Sequence, residues 1–268
     1  MLRVKLSVVS ASLLTLGALL LTGCSTTPVD KTAGMSPNTL YAEAKDEMAL
    51  GQWDKAVPLL EKLEARAAGT PLAQQAQLDK AYAHYKTAEP AQALATLERF
   101  MKLHPASPAL DYALYLKGII NFNDDLGMFS DVTRQDLAER DQKASKESFE
   151  SFKELVSRFP DSRYAPDARQ RMNYIVGSLA QYEVYVARYY YKRGAYLAAI
   201  NRAQLAVADY RDVPAIEEAL FIIYKSYDAL GMAQLRDDAK RVLEKNYPQS
   251  EFLSRGARSN TDPWWKVW

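Results

Sequence analysis

A repeated helical pattern constrains this chain more than any other feature. Ala93, Leu97 and Phe100 are spaced i, i+4 and i+7, which places them on one face of a helix. Pro105 then ends that helix. The same unit of a small residue followed by two apolar ones recurs at Ala56, Leu60, Leu63; at Ser148, Phe152, Leu155; and at Ala199, Ala203, Ala206. Units that recur at such intervals indicate stacked supersecondary elements.

The spacing of these units predicts a helical solenoid. The first two units begin 37 residues apart, at Ala56 and Ala93, which is close to the roughly 34 residues of a tetratricopeptide repeat. The later intervals are longer and require insertions or longer helices. We therefore predict an all-α fold, a right-handed α-α superhelix of about five tetratricopeptide-like helix pairs. Repeats 1–3 are assigned to residues 38–160 and repeats 4–5 to residues 161–253.

The first 23 residues have the pattern of a lipoprotein signal peptide. A basic start is followed by an apolar stretch and then by Leu21-Thr22-Gly23-Cys24, which resembles a bacterial lipobox. The alternative is an ordinary signal anchor, because the apolar stretch approaches the ~18 residues that can span a membrane. Cys24 is the only cysteine in the chain, and we expect it to carry diacylglycerol and N-acyl lipid. Ser25 favours the outer membrane, and residues 24–37 read as a flexible tether.

Two further segments interrupt the helical pattern. Residues 123–142 carry several carboxylates without periodicity. Their spacing does not match a calcium-binding loop, so a solvated insertion that makes partner contacts is the preferred interpretation. Residues 254–268 are polar and end in Pro263-Trp264-Trp265-Lys266-Val267-Trp268. This tail could be disordered, could lie at a bilayer interface or could dock in a groove.

The composition argues against catalysis and against nucleic-acid binding. With two histidines and one lipidated cysteine, a Cys/His metal cluster is not expected. The sequence has no glycine-rich phosphate loop and no nucleophile-elbow pattern. A formal net charge of +1 gives no sign of nucleic-acid binding. We therefore expect neither an enzyme nor a metal or cofactor site.

Several local stretches resemble the BamD family, also called ComL, the tetratricopeptide lipoproteins of the outer-membrane β-barrel assembly machinery. They are the run from Gln77 to Lys86, the run from Tyr182 to Tyr190, the segment from Gly194 to Arg202, and Phe159-Pro160-Asp161-Ser162-Arg163-Tyr164. The resemblance covers most of residues 24–250. It implies a periplasmic scaffold that is lipid-anchored in the outer membrane, binds BamA and other lipoproteins of the complex, and receives unfolded β-barrel proteins. The other function left open is a tetratricopeptide lipoprotein that scaffolds peptidoglycan or cell-division enzymes.

Two sets of residues are candidates for partner contacts. Aligning the first helices of repeats 1–3 on Ala44, Ala81 and Gly118 places several side chains on the concave side. The predicted peptide groove comprises Tyr41, Tyr82, Tyr85, Tyr112 and Tyr115, together with Lys45, Leu78 and Ile119. These tyrosines could instead pack only between repeats.

The second set lies in repeat 4. Because the family holds BamA with its C-terminal half, the resemblance implies an interface at Arg188, Arg193 and Arg202. The alternative for each of these arginines is solvated surface charge.

Overall fold

The computed structural model describes residues 32–122 and 142–255, and within these ranges the regular structure is helical. The helices are α1 Pro37–Ala49, α2 Trp53–Arg66, α3 Pro71–Lys86, α4 Pro90–Leu103, α5 Leu110–Asn121, α6 Gln142–Arg158, α7 Ala165–Lys192, α8 Tyr196–Asp209, α9 Ala215–Ala229, α10 Ala233–Asn246 and α11 Glu251–Arg255. The signal peptide, Cys24, most of the insertion and the aromatic tail lie outside the described residues.

Local sequence signals explain where several helices begin and end. Ser36 and Thr70 cap α1 and α3 by accepting hydrogen bonds from Thr39 N and Ala73 N, each at 3.2 Å. Proline occupies the first helical position after each cap, where its missing N–H costs little. Gly51 ends α1 with a φ of +73°, a conformation that suits glycine.

The repeated unit that defines the sequence pattern forms the core. Ala93, Leu97 and Phe100 are fully buried, and the equivalent residues of the other units are buried as well. Each helix from α1 to α9 packs against the next along the chain, so the apolar residues form successive clusters between neighbouring helices rather than one central core. The all-α architecture of consecutive helix pairs is therefore confirmed.

In repeat 3, helices α5 and α6 pack closely at Gly118. Ser148 on α6 donates a hydrogen bond of 2.8 Å from Oγ to the carbonyl oxygen of Gly118 on α5. The buried ring of Phe152 lies directly against the Gly118 Cα, in the space that a Cβ would occupy. Glycine at this position therefore permits α5 and α6 to pack at short range.

The last pair is less embedded than the others. Leu243 is the buried residue of α10, whose other side chains are partly or fully exposed. Such exposure is typical of a terminal repeat, which has one solvated face.

Thr32 lies in the segment predicted as a flexible tether, residues 24–37, and it contacts α2: Lys62 Nζ donates to the Thr32 hydroxyl at 2.9 Å, and Arg66 donates to the Thr32 carbonyl at 2.7 Å. One sequence-based expectation needs correction. Leu78, predicted to face the groove, is 2% exposed and packs with Leu97 because the long apolar side chain is buried between α3 and α4.

Candidate functional site

The first helices of successive repeats form one continuous surface. We call the surface formed by α1, α3, α5 and the first half of α7 the groove face. Hydrogen bonds and ring contacts join the first helices of neighbouring repeats across it. The five tyrosines predicted for the peptide groove all lie on these helices.

Tyr41 links repeats 1 and 2. Its hydroxyl on α1 donates to Asp79 Oδ2 on α3 at 3.0 Å, and Gln75 Nε2 donates to the other carboxylate oxygen at 3.0 Å. Lys45 lies 3.8 Å from the same carboxylate. Burial, and then the charge of Asp79, raises the pKa of Tyr41 to about 12. Tyr41 is therefore a neutral hydrogen-bond donor at physiological pH.

Tyr115 makes the equivalent link between repeats 3 and 4. Its hydroxyl on α5 donates to Asp167 Oδ2 on α7 at 2.9 Å, and Arg171 Nε binds the same oxygen at 2.7 Å. The Tyr115 ring stacks on Tyr164 with centroids 4.7 Å apart. Burial and the hydrogen bond to Asp167 raise the Tyr115 pKa. The two Tyr–Asp links therefore fix the relative position of adjacent first helices.

Tyr112 lies in the middle of the groove face. Its ring packs on Tyr164 at 5.6 Å. Burial is the main reason why the Tyr112 pKa is raised. The charge of Asp79 and the neighbouring phenols Tyr164 and Tyr82 raise it further. Tyr82 and Tyr112 pack against the same buried cluster of Leu78, Leu97 and Leu116, so Tyr112 lies between the aromatic residues of repeats 2 and 4.

Tyr82 and Tyr85 extend this surface towards the start of α2. The Tyr82 ring contacts Trp53 edge-on with centroids 5.5 Å apart, and Tyr85 lies 6.3 Å from Tyr82. Tyr85 is 37% exposed, whereas Tyr41, Tyr82, Tyr112 and Tyr115 are half-buried. Tyr85 is therefore the most accessible of the five, and the other four contribute to packing between repeats as well as to the surface.

The three arginines of repeat 4 have different environments. Arg188 forms a bidentate ion pair with the buried Glu218 on α9, at 2.6 and 2.7 Å. Arg202 binds Glu183 at 3.0 Å and keeps a side chain that is 39% exposed. Arg193 is exposed, with its guanidinium over the Tyr189 ring at 5.2 Å. Arg188 therefore stabilises the fold, whereas Arg193 and Arg202 place positive charge at the surface.

Sequence reasoning missed the polar residues that support the groove face. Asp79 is 7% exposed on a helix face that otherwise packs apolar residues. A buried carboxylate requires hydrogen-bond donors, and this requirement could have predicted the Tyr41 contact. The repeat pattern did not identify three further residues of this surface, Asp167, Trp53 and Lys86.

Other predicted features can also be placed. His84 packs partly buried, with Nδ1 2.6 Å from Glu89, as expected for a satisfied structural histidine. Within residues 32–122 and 142–255, no group of three or more potential ligand side chains is placed to hold a metal ion. In the same ranges, no helix combines the length and the apolar character needed to cross a bilayer.

Consecutive helix pairs stacked along the chain, with an aromatic groove face, define a tetratricopeptide-type helical scaffold. Residues 33–243 match the YfiO family, described as outer membrane lipoproteins, and the chain belongs to this family.

Related proteins extend the match to nearly the whole chain. The chain is 46% identical over 255 residues to the outer membrane protein assembly factor BamD of Neisseria meningitidis serogroup A, covering 93% of this chain and 96% of that protein. It is 36% identical over 227 residues to the BamD protein of Vibrio cholerae, covering 85% and 94%, respectively. The BamD protein of Haemophilus influenzae is 32% identical over 237 residues, covering 88% and 90%.

Proposed function

We propose that this protein is a lipid-anchored scaffold of the outer-membrane β-barrel assembly machinery. In this role it binds BamA and receives unfolded β-barrel proteins at the groove face. Membership in an outer membrane lipoprotein family and the similarity to proteins named as assembly factors support the proposal. It acts without a catalytic step, through binding alone, and its acyl groups on Cys24 hold it on the periplasmic face of the outer membrane.

The observation that carries the proposal is the continuity of the groove face. Aromatic rings extend from Trp53 and Tyr82 through Tyr112 to Tyr164, and they span four repeats. Unfolded β-barrel segments are extended and alternate apolar with polar side chains. Such segments match a surface that offers rings for the apolar residues and phenol or carboxylate groups for the polar ones.

Within the proposed BamA interface, Arg193 and Arg202 are the arginines that a partner can reach. Arg188 is bound by the buried Glu218, so its substitution would disturb the fold before it disturbed an interface. Arg193 can bind a partner carboxylate directly, whereas Arg202 contacts Glu183 but keeps a partly exposed guanidinium that can bind a second carboxylate. Replacing Arg202 with glutamate would also set two carboxylates beside each other, because Glu183 lies 3.0 Å away.

Co-purification tests the proposal. A tagged full-length protein is extracted in mild detergent, and its partners are identified by mass spectrometry. We expect BamA as the main partner, reduced by Arg202→Gln and by Arg193→Gln, with Lys102→Gln as a surface-charge control. Recovery of a peptidoglycan or cell-division enzyme in place of BamA would contradict the proposal and support the alternative scaffold function.

A further inference from the structure

The last repeat carries a cleft beside the point where the described chain ends. This cleft lies between α9, α10 and the short helix α11, and its volume is about 400 Å³. That volume falls within the ~300–1,000 Å³ range of clefts that bind ligands. We call it the terminal cleft, and its lining includes Phe221, Tyr224, Lys225, Lys240, Phe252 and Leu253.

Aromatic rings form the floor of the terminal cleft. Phe252 of α11 packs on Phe221 of α9 with ring centroids 5.7 Å apart, and Tyr224 meets Phe221 edge-on at 6.2 Å. Phe221 is buried, whereas Tyr224 and Phe252 are half-buried and Leu253 is 36% exposed. The floor therefore leaves apolar surface in contact with water.

Charged side chains form the rim of the terminal cleft. Lys225 Nζ lies 5.3 Å from the centroid of the Tyr224 ring and donates to Asp228 at 3.1 Å. On the α10 side, Lys240 lies 3.5 Å from Glu244. Ammonium groups beside ring faces attract further aromatic side chains, and a rim carboxylate attracts a cation. The cleft therefore suits a segment that combines aromatic residues with a lysine or arginine.

The end of the helical stack explains why the cleft is open. α11 packs on α9, where the first helix of another repeat would lie, but it has only five residues. Within residues 142–255, no second helix follows it. Solenoids need a terminal unit that shields the last core from water. The Phe221–Phe252 contact is therefore the place where such a cover is required.

We propose that the aromatic tail, residues 256–268, docks in the terminal cleft of its own chain and closes this end of the stack. The tail lies outside the described residues and follows directly after Arg255, two positions beyond Leu253. It contains three of the four tryptophans of the chain, Trp264, Trp265 and Trp268. These rings cover Tyr224 and Phe252, and Lys266 pairs with Glu244.

The length of the tail favours this intramolecular occupant. Trp264 is nine positions beyond Arg255, and an extended chain of that length spans ~30 Å. Helix α10, with 14 residues, is ~21 Å long, so the tryptophans can reach every part of the cleft. A short flexible linker gives an effective concentration in the millimolar range. The tail of the same chain therefore competes effectively with a second copy or another protein.

Site-specific photocrosslinking of the full-length protein in cells tests the docking. A photoreactive residue replaces Lys240, which lines the terminal cleft. The matched control position is Lys245, an exposed lysine of the same helix that does not line it. Crosslinked products are digested and identified by mass spectrometry, which distinguishes the tail from a second copy, another protein or lipid.

We expect position 240 to crosslink within the chain to residues 256–268, and position 245 not to do so. Replacing the three tail tryptophans with serine should abolish the crosslink. Leu253→Glu should reduce it, because the carboxylate would have to be buried against the docked rings. Leu205→Glu changes a leucine of α8 that is 44% exposed and lies outside the cleft, and it should leave the crosslink unchanged. Circular dichroism of each variant checks that the fold is intact.

Several outcomes would overturn the proposal. Crosslinks from position 240 that join only another protein, a second copy or lipid would assign the cleft to that occupant. Equal crosslinking to the tail from position 245, or a crosslink that persists without the three tryptophans, would show that contact with the tail is not specific. Absence of any crosslink from position 240 would also contradict docking.

Discussion

Gly118→Ala should destabilise the protein although it adds only one methyl group to a helix. A Cβ at this position would lie 2.6 Å from Cδ1 and 2.7 Å from Cζ of Phe152. Carbon atoms in favourable contact are about 3.5–4.0 Å apart, so one helix must move by roughly 1 Å. Phe152 is fully buried, and the Ser148 hydrogen bond holds α6 against α5.

The expected net effect is a loss of about 2 kcal/mol in the free energy of unfolding. Overpacking a buried site costs about 1–3 kcal/mol, and a clash with several ring carbons falls at the upper end. The higher helix propensity of alanine offsets roughly 0.5–1 kcal/mol of this destabilisation. For a chain of this size, that loss lowers the melting temperature by about 4–8 °C.

Gly177 provides the matched control. It lies inside α7 and has nothing within 4 Å of the position that a Cβ would take. Gly177→Ala should therefore stabilise the protein by about 0.5–1 kcal/mol, the opposite sign to Gly118→Ala. Both variants are measured by thermal and urea unfolding followed by circular dichroism.

A double mutant tests the assigned cause. Phe152→Leu removes the ring that a Cβ at position 118 would strike, so the cost of Gly118→Ala should be smaller in that background. Equal stability changes for the two glycine substitutions, or an undiminished cost in the Phe152→Leu background, would refute the packing argument.

Three further predictions concern other parts of the molecule. Arg188→Ala should lower stability by about 3 kcal/mol in urea unfolding because it leaves the buried Glu218 carboxylate unpaired; a loss below about 1 kcal/mol would contradict this role. The raised pKa of Tyr41, about 12 against an ordinary 10.0, predicts stability that is full below pH 10 and lost as the pH rises towards 12; an alkaline unfolding curve unchanged in Tyr41→Phe would contradict it. Cys24→Ala should remove mature protein from the outer-membrane fraction, and its retention there at the mature mass would exclude the lipid anchor.

The periodic part of the fold was predictable from sequence because it depends on local spacing. Small and apolar residues at i, i+4 and i+7 must share a helix face, and those at Ala93, Leu97 and Phe100 are buried together. Contacts between distant parts of the sequence are not predictable in this way. Thr32, which precedes α1, is bound by Lys62 and Arg66 of α2, 30 and 34 residues away in sequence.

The candidate site was predictable only in part for the same reason. Repeat alignment placed five tyrosines on the first helices, but it could not show that Tyr41 and Tyr115 bind carboxylates of the following repeat. These links join residues 38 and 52 positions apart, across an interval whose length varies between repeats. The position of each tyrosine in the repeat unit predicted that it lies on the groove face. Which of the rings remain exposed depends on tertiary packing, which the repeat pattern does not contain.

Site-specific crosslinking tests the groove function most directly. A photoreactive residue replaces Tyr85, which is 37% exposed, in cells that synthesise a β-barrel protein. Glu61 on α2, whose side chain is 57% exposed and lies outside the groove face, is the control position. We predict crosslinks from position 85 to the C-terminal segment of the unfolded barrel protein, reduced by a competing peptide of that sequence. Equal crosslinking from position 61, or equal competition by a scrambled peptide, would contradict the assignment of the groove face as the substrate-binding surface.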